Sequence, residues 1–316
     1  MTTYTSVANI QLETCIYNAS GCRSSEWNHL DDLNNSKSGA ILTKSSTIEP
    51  RKGNKFPRFY LKDKYFSINS MGLPNSGYKY YVDYYLQNKC KKPYIQSLYP
   101  FNSNELVEMF QYINSKIKRT TSYSLEINVS CPNVDNETSM SMIDEYLDII
   151  KQNNIHNIPV GLKLAPYITS SDFDRVGNIL LKYTDSLGYI TCSNSVMGLE
   201  IDTDTDTTVI TPNSGLGGIG GNTCRSIGLS NVYNFHMRLG NKIDIVGCGG
   251  VSSGNDVYAY ILAGANAVQL GTSFYSEGVG IFDRVSKELL DIMNSKGYSD
   301  IDEFKGKLIN KIKSSL

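Results

Sequence analysis

Only three histidines occur in 316 residues, and the seven cysteines (15, 22, 90, 131, 192, 224 and 248) form no C-x-x-C pair. Zinc sites are built from such pairs and from histidines, so no metal site is expected. The cysteines are odd in number and scattered, which argues against a disulfide framework and for a reducing compartment. Charge of one sign is missing too: 30 Lys and Arg stand against 31 Asp and Glu. A net charge of -1 gives no pull toward nucleic acid or anionic lipid. No apolar run approaches the ~18 residues of a membrane span. The N-terminal MTTYTSVANIQLETC has neither the basic and apolar regions of a signal peptide nor the arginines of a transit peptide. A cytoplasmic protein is therefore expected, and the sequons at Asn18 and Asn128 are read as chance matches.

What is present alternates. Short β-branched runs at 15–20, 40–45, 94–99, 124–130, 160–165, 189–194, 243–248 and 267–271 are separated by amphipathic stretches. Such alternation argues for βα units and a parallel sheet. Residues 103–118 carry Leu106, Phe110, Ile113 and Ile117 on one helical stripe; 141–153 and 172–183 repeat the pattern. Eight strands with interleaved helices predict a (β/α)8 TIM barrel, a single domain over 1–316, because closure removes both sheet edges. An open doubly wound sheet is the alternative, but no G-x-G-x-x-G follows the first strand. Two segments break the repeat: a β-hairpin within 53–70 after strand two, and a long polar insertion, 198–224, after strand six. Loops after strands lie on the catalytic face of a barrel, so both should roof the site. The tyrosine-rich run 78–85 has helical spacing and is expected to pack on the barrel or on a second subunit. Asp202, Asp204 and Asp206 imitate the start of a calcium loop but lack its glycine and glutamate, so a solvated loop is expected.

Polar side chains close most of the predicted strands: Asn18, Ser20, Lys44, Asn128, Cys131, Lys163, Asn194 and Thr272. Barrel interiors are filled by layers of branched apolar residues, and only strand ends open into the mouth. Lysines and asparagines emerging together there point to a polar ligand. Glycines cluster at 214–221, at Gly249-Gly250 and at Gly271 before Thr272. Free N–H groups in such loops form anion-binding concavities, which points to a phosphorylated cofactor.

NASG (18–21), GAILTKSST (39–47), NSMGLPN (69–75), INVSCPNV (127–134), GLKLAP (161–166), SNSVMGL (193–199) and GLGGIGG (215–221) resemble dihydroorotate dehydrogenases. So does the tail, with GCGGVSSGND (247–256), QLGTSFYSEG (269–278) and 281–298. The resemblance runs in order over nearly the whole chain. It is greatest to the class 1A branch, whose members are homodimers that use FMN and reduce fumarate to succinate at the site that takes dihydroorotate.

The resemblance implies that Cys131 is the base that takes the C5 proton of dihydroorotate, while flavin N5 takes the C6 hydride. A thiol suits this role when neighbouring donors lower its pKa from ~8.5. Lys163 would lie beside flavin N1 and O2, where reduction accumulates negative charge. Lys44 would face both flavin and the orotate carboxylate. Asn69, Asn128, Asn133, Asn194 and Ser195 would read the orotate ring, since amides both donate and accept. Met71, Gly72 and Leu73 would hold its carboxylate by backbone N–H groups. For FMN the implied set is Ala19, Ser20, Gly21, Lys44, Ser45, Asn128, Lys163 and Cys192 around the ring and ribityl chain. Gly221, Gly249, Gly250, Gly271 and Thr272 would take the phosphate.

The chain departs from the family in two places. DNETSM (135–140) replaces the usual proline- and glycine-rich lid after SCPNV, and Tyr99-Pro100-Phe101 stands where a glycine-containing turn is usual. The rival readings are another FMN barrel acting on a dihydropyrimidine, and a flavin- or orotate-binding barrel without turnover. Hydroxy-acid oxidases and ene-reductases depend on histidines, whereas His29, His156 and His236 all lie outside the strand-end motifs.

Overall fold

A computed structural model describes residues 1–63, 65–118, 122–130 and 136–308. Its eight-stranded parallel sheet comprises β1 (Ile16–Asn18), β2 (Ile41–Leu42), β3 (Tyr94–Leu98) and β4 (Tyr123–Asn128). It continues through β5 (Val160–Lys163), β6 (Tyr189–Cys192), β7 (Asp244–Cys248) and β8 (Ala267–Leu270). Each falls within one residue of a run read from the sequence. Pairing follows chain order from β2 to β8, and β8 pairs with β1.

The β1–β2 seam closes the barrel by other means. Gly39 N–H donates to the Ile16 carbonyl at 2.8 Å. Asn18 Oδ1 accepts from Leu42 N–H at 2.9 Å, and Asn18 Nδ2 donates to the Leu42 carbonyl at 2.6 Å. A primary amide carries both groups of a peptide, so this side chain replaces a ladder rung. Asn18 is wholly buried and serves the fold rather than a ligand, which corrects its reading as a polar group facing the mouth. Asn18→Leu leaves two buried backbone groups unpaired, at about 1–3 kcal/mol each. Urea unfolding should show a loss of ~2–4 kcal/mol; an unchanged midpoint would mean that other bonds hold the seam.

Helices follow the strands in turn: α1 (Trp27–Asn34), α2 (Tyr78–Gln87), α3 (Ser103–Lys116), α4 (Asn136–Asn153) and α5 (Ser170–Leu180). Then come α6 (Arg225–Leu239), α7 (Gly254–Ala263), α8 (Thr272–Glu277) and α9 (Gly280–Lys296). α3 shows why: Asn102 caps it by accepting from Glu105 N–H, and Leu106, Met109, Phe110 and Ile113 bury one stripe. The tyrosine run is α2, with Tyr78, Tyr81 and Tyr84 wholly buried against β3, where Tyr94 Oη donates to the Tyr81 carbonyl. It packs on the barrel, as one of its two readings held. The expected lid at 136–140 is the first turn of α4, and residue 135 lies outside the described residues.

Both insertions meet in one four-stranded antiparallel ribbon over the mouth, in the order 196–199, 216–221, 66–69, 59–63. This corrects the reading of 214–221 as a free anion cradle, because ladders use its backbone from Leu216 onward. Its glycines answer to crowding. A Cβ at Gly218 would lie 2.6 Å from Ser195 Cβ, and one at Gly220 would lie 2.5 Å from Thr272 Oγ1. The acidic residues 204 and 206 lie exposed at the tip of a small hairpin, as expected. At the opposite end, the hairpin Thr5–Val7/Ile10–Leu12 caps the barrel, with Ala8 N–H donating to Asp244 Oδ2 and Thr5 Oγ1 to the Asn266 carbonyl.

The lumen differs from a branched apolar filling. Side chains from β1, β4, β5, β6 and β8 meet inside it: Tyr17, Glu126, Lys163, Thr191 and Gln269 form one hydrogen-bonded group.

Candidate active site

Ribbon and barrel mouth enclose a cavity of about 920 Å³. Asn128 ends β4, Asn194 and Ser195 follow β6, and Asn69, Met71, Gly72 and Leu73 come down from the ribbon; all line it. Ala19, Ser20 and Gly21 enter from the loop after β1, Lys44 and Ser45 from the segment after β2, and Lys163 from β5. Gly249 and Gly250 follow β7, Gly271 and Thr272 follow β8, and Gly221 ends the fourth ribbon strand in the chain; these line the same cavity. Cys192 does not. It is wholly buried, and burial pushes its thiol well above the ordinary range. Cys131 and Asn133 lie outside the described residues.

Hydrogen bonds tie the mouth together. Ser45 Oγ lies 3.0 Å from Ser20 Oγ and 2.9 Å from Ser97 Oγ, and receives Asn128 Nδ2 at 3.3 Å. Asn128 Oδ1 accepts from Ser130 Oγ at 2.9 Å and from Asn194 Nδ2 at 3.2 Å; Asn194 also reaches Ser130 Oγ. Five barrel strands thereby fix two asparagines side by side. Asn69 Nδ2 is held by the Gly218 carbonyl at 3.2 Å. Ser67 Oγ meets Thr272 Oγ1 at 2.9 Å and latches the ribbon to the end of β8.

Two ammonium groups face this cavity with different electrostatics. Lys44 is pulled down to about 8 by burial; the Cys22 thiol opposes the shift and Lys163 adds to it. Lys163 lies between Gln269 Oε1 at 3.1 Å and Cys248 Sγ at 3.6 Å. Burial pulls it down, but Cys248 and Glu126 outweigh that and hold it above the ordinary lysine value. Lys163 is thus a fixed cation, whereas Lys44 is pulled down to about 8.

The glycines past β7 and β8 form the third part. Gly249 and Gly250 have φ of 130° and 66°, left-handed backbone that side chains resist. A Cβ at Gly250 would lie 2.7 Å from Arg225 Cβ. This turn and the Gly271–Thr272 corner form a concave wall of the kind that backbone N–H groups offer to phosphate. Glycine wall, fixed cation and paired asparagines fit a phosphorylated cofactor carrying a planar, hydrogen-bonding ring.

Sequence reasoning missed two thiols and two guanidinium groups among the residues that line the cavity. Cys22 and Cys248 are thiols whose neighbours in NASG and GCGG drew attention while they did not. Arg51 and Arg58 stand at the rim over aromatic rings, Arg51 at 5.1 Å from Phe101 and Arg58 at 4.4 Å from Phe56. Nothing periodic marks them. Phe101 belongs to the atypical turn, whose Tyr99 also lines the cavity. That turn forms an aromatic wall beneath Arg51.

Fold and cavity define a (β/α)8-barrel protein with its ligand site at the C-terminal ends of the strands and a place for an anionic cofactor after β7 and β8. The chain belongs to the dihydroorotate dehydrogenase family, a flavin-dependent family whose model, "Dihydroorotate dehydrogenase", matches residues 2–293. It is 38% identical over 314 residues to the dihydroorotate dehydrogenase (fumarate) of Kluyveromyces lactis, covering 95% of this chain and 98% of that protein. It is 39% identical over 311 residues to dihydroorotate dehydrogenase A (fumarate) of Lactococcus lactis, covering 96% and 98%. A crystal structure of the Eimeria tenella enzyme in complex with ferulenol shares the fold at a TM-score of 0.74 and 17% identity, over 96% of this chain and 88% of that one.

Proposed function

We propose that the chain oxidises dihydroorotate to orotate with bound FMN and passes the electrons to fumarate, a step of pyrimidine biosynthesis. The carrying observation is the convergence of Asn69, Asn128, Asn194 and Lys44 on one cavity that also holds Lys163 and the glycine wall. FMN, when bound, supplies the hydride acceptor. The chain's own residues do the rest. Gly249, Gly250, Gly271, Thr272 and Gly221 hold the phosphate. Ala19, Ser20, Gly21 and Ser45 border the ring and ribityl chain, and Lys163 offsets charge at the pyrimidine edge of the flavin. Of the cysteines, Cys248 and Cys22 line the cavity, whereas Cys192 is wholly buried and does not. Asn69, Asn128, Asn133, Asn194 and Ser195 read the substrate ring; Met71, Gly72, Leu73 and Lys44 take its carboxylate; Cys131 takes the proton. Arg51 and Arg58 at the rim favour entry of anions, dihydroorotate and fumarate alike.

The acceptor is tested by steady-state turnover with fumarate, a quinone and NAD. Fumarate should support turnover by far the best, with succinate as product. Quinone- or NAD-dependent turnover without fumarate activity would overturn the assignment.

Lys44 sets a pH dependence. Its ammonium is charged below about 8 and neutral above it. A carboxylate that needs that charge should bind about tenfold more weakly at pH 9 than at pH 7. Titration of orotate against bound-flavin absorbance checks this, and a flat dissociation constant would remove Lys44 from carboxylate binding.

The partner we propose is a second copy. Leu199 and Leu216, paired on the ribbon, and Ile201 at the start of the adjoining small hairpin lie exposed, an apolar stretch that a homodimer would cover. Light scattering should give twice the chain mass. The six described cysteines are free, in keeping with a cytoplasmic setting. No helix among the described residues is long and apolar enough to cross a membrane.

A further inference from the structure

We infer that Glu126 is a positioning residue for the flavin-facing ammonium: its carboxylate orients the Gln269 amide, and that amide aims Lys163 at the barrel mouth. The inference rests on the reading that flavin lies against Lys163.

Glu126 sits in the middle of β4 and is wholly buried in the lumen. Its Oε2 accepts from Thr191 Oγ1 at 2.7 Å and from Gln269 Nε2 at 2.8 Å. Its Oε1 is buried and makes no hydrogen bond among the described residues. A buried carboxylate is costly to keep for packing alone, and a well-shaped apolar residue would serve the lumen better. Its charge therefore has another use. A glutamine amide fills the same space in either of two orientations, with oxygen and nitrogen exchanged. An ionised carboxylate is acceptor-only, so Gln269 must turn Nε2 toward Glu126. Its oxygen then faces Lys163 Nζ at 3.1 Å. With a neutral group at position 126 the reverse orientation opens, and it would set an amide NH2 against the ammonium.

The other groups around Lys163 cannot replace this control. Cys248 on β7 touches Nζ at 3.6 Å, without contact to the Gln269 amide among the described bonds. Cys22, after β1, is pushed up to about 11 by burial. Lys44, after β2, is itself a cation. Tyr17 on β1 accepts weakly from Gln269 Nε2 at 3.4 Å, and burial pushes its phenol far up. Glu126 is the carboxylate of the group, and it counts among the causes that keep Lys163 charged.

The test uses the FMN-reconstituted protein. Bound-flavin absorbance is titrated from pH 6 to 9.5, and FMN affinity is measured by fluorescence. The parent should show at most the Lys44 step near 8. Glu126→Gln should add a second step within that window and weaken FMN binding about tenfold at pH 8. Glu126→Asp, which keeps the acceptor-only charge, should recover part of the affinity and lose the extra step. The Glu126→Gln/Lys163→Arg double variant, whose guanidinium stays charged across the window, should lack that step, which assigns it to Lys163. A Glu126→Gln protein with the parent's titration and FMN affinity within about twofold overturns the inference. Should Glu126→Gln fail to fold, Gln269→Met cuts the same link and is held to the same outcomes. Lys163→Met alone separates the two levels. Indifference of FMN affinity and spectrum to that change sinks the flavin placement itself; an effect there with none at Glu126 sinks only the present inference.

Discussion

Replacing Cys131 with serine is expected to leave a yellow protein that still binds orotate but is reduced by dihydroorotate ~10²–10⁴-fold more slowly, the usual worth of a positioned general base. The residue follows Ser130, whose Oγ bonds Asn128 and meets Asn194, so its chain neighbour stands beside the two asparagines proposed to hold the substrate ring. A base must lie where the proton is, and the ring-reading amides define where that is. Serine preserves size and polarity but is a far weaker acid than a thiol of pKa ~8.5. The rate should therefore continue to rise at pH values where the parent has levelled off. Stopped-flow reduction under anaerobic conditions measures this directly. A rate and profile equal to the parent's would take Cys131 out of the proton transfer.

The second large effect is expected from Lys163→Met. Methionine fills the space but removes a nearly buried cation from between Gln269 and Cys248. Glu126 then carries its charge in the lumen without a nearby counter-charge. Breaking such a buried arrangement costs up to about 3–5 kcal/mol. Urea unfolding should register that loss, and the purified protein should come off the column largely colourless. A yellow variant of parental stability would show that neither the fold nor the cofactor leans on this ammonium.

Much of the barrel is legible in the sequence because β-branched runs between amphipathic stretches leave few other ways to bury both. What escapes such reading is governed by packing that no local pattern encodes. The strand 216–221 is rich in glycine, a poor strand former, and exists because only hydrogen side chains fit between Ser195, Ile210 and Thr272. The N-terminal hairpin uses two three-residue strands, too short for a periodic signal. Asn18 looks like a ligand residue and is a seam, because an amide can replace a peptide as readily as it can read a ring. The candidate site was legible through its motifs: of the expected residues that the structure describes, Asn18 and Cys192 miss the cavity. Cys248 and Cys22 take the places near Lys163 and Lys44, through neighbours on other strands that spacing along one chain does not reveal. The polar lumen escaped for the same reason, since Glu126, Thr191 and Gln269 each read singly as a strand residue.

In the function proposed, one cavity holds a flavin ready to accept electrons from a dihydropyrimidine carboxylate. Anaerobic addition of dihydroorotate to the FMN-loaded protein, followed at the visible flavin band, tests it most directly. The band should bleach with one equivalent per site and return on addition of fumarate. A band that keeps its intensity while orotate binds tightly would contradict the account and describe a binding protein instead.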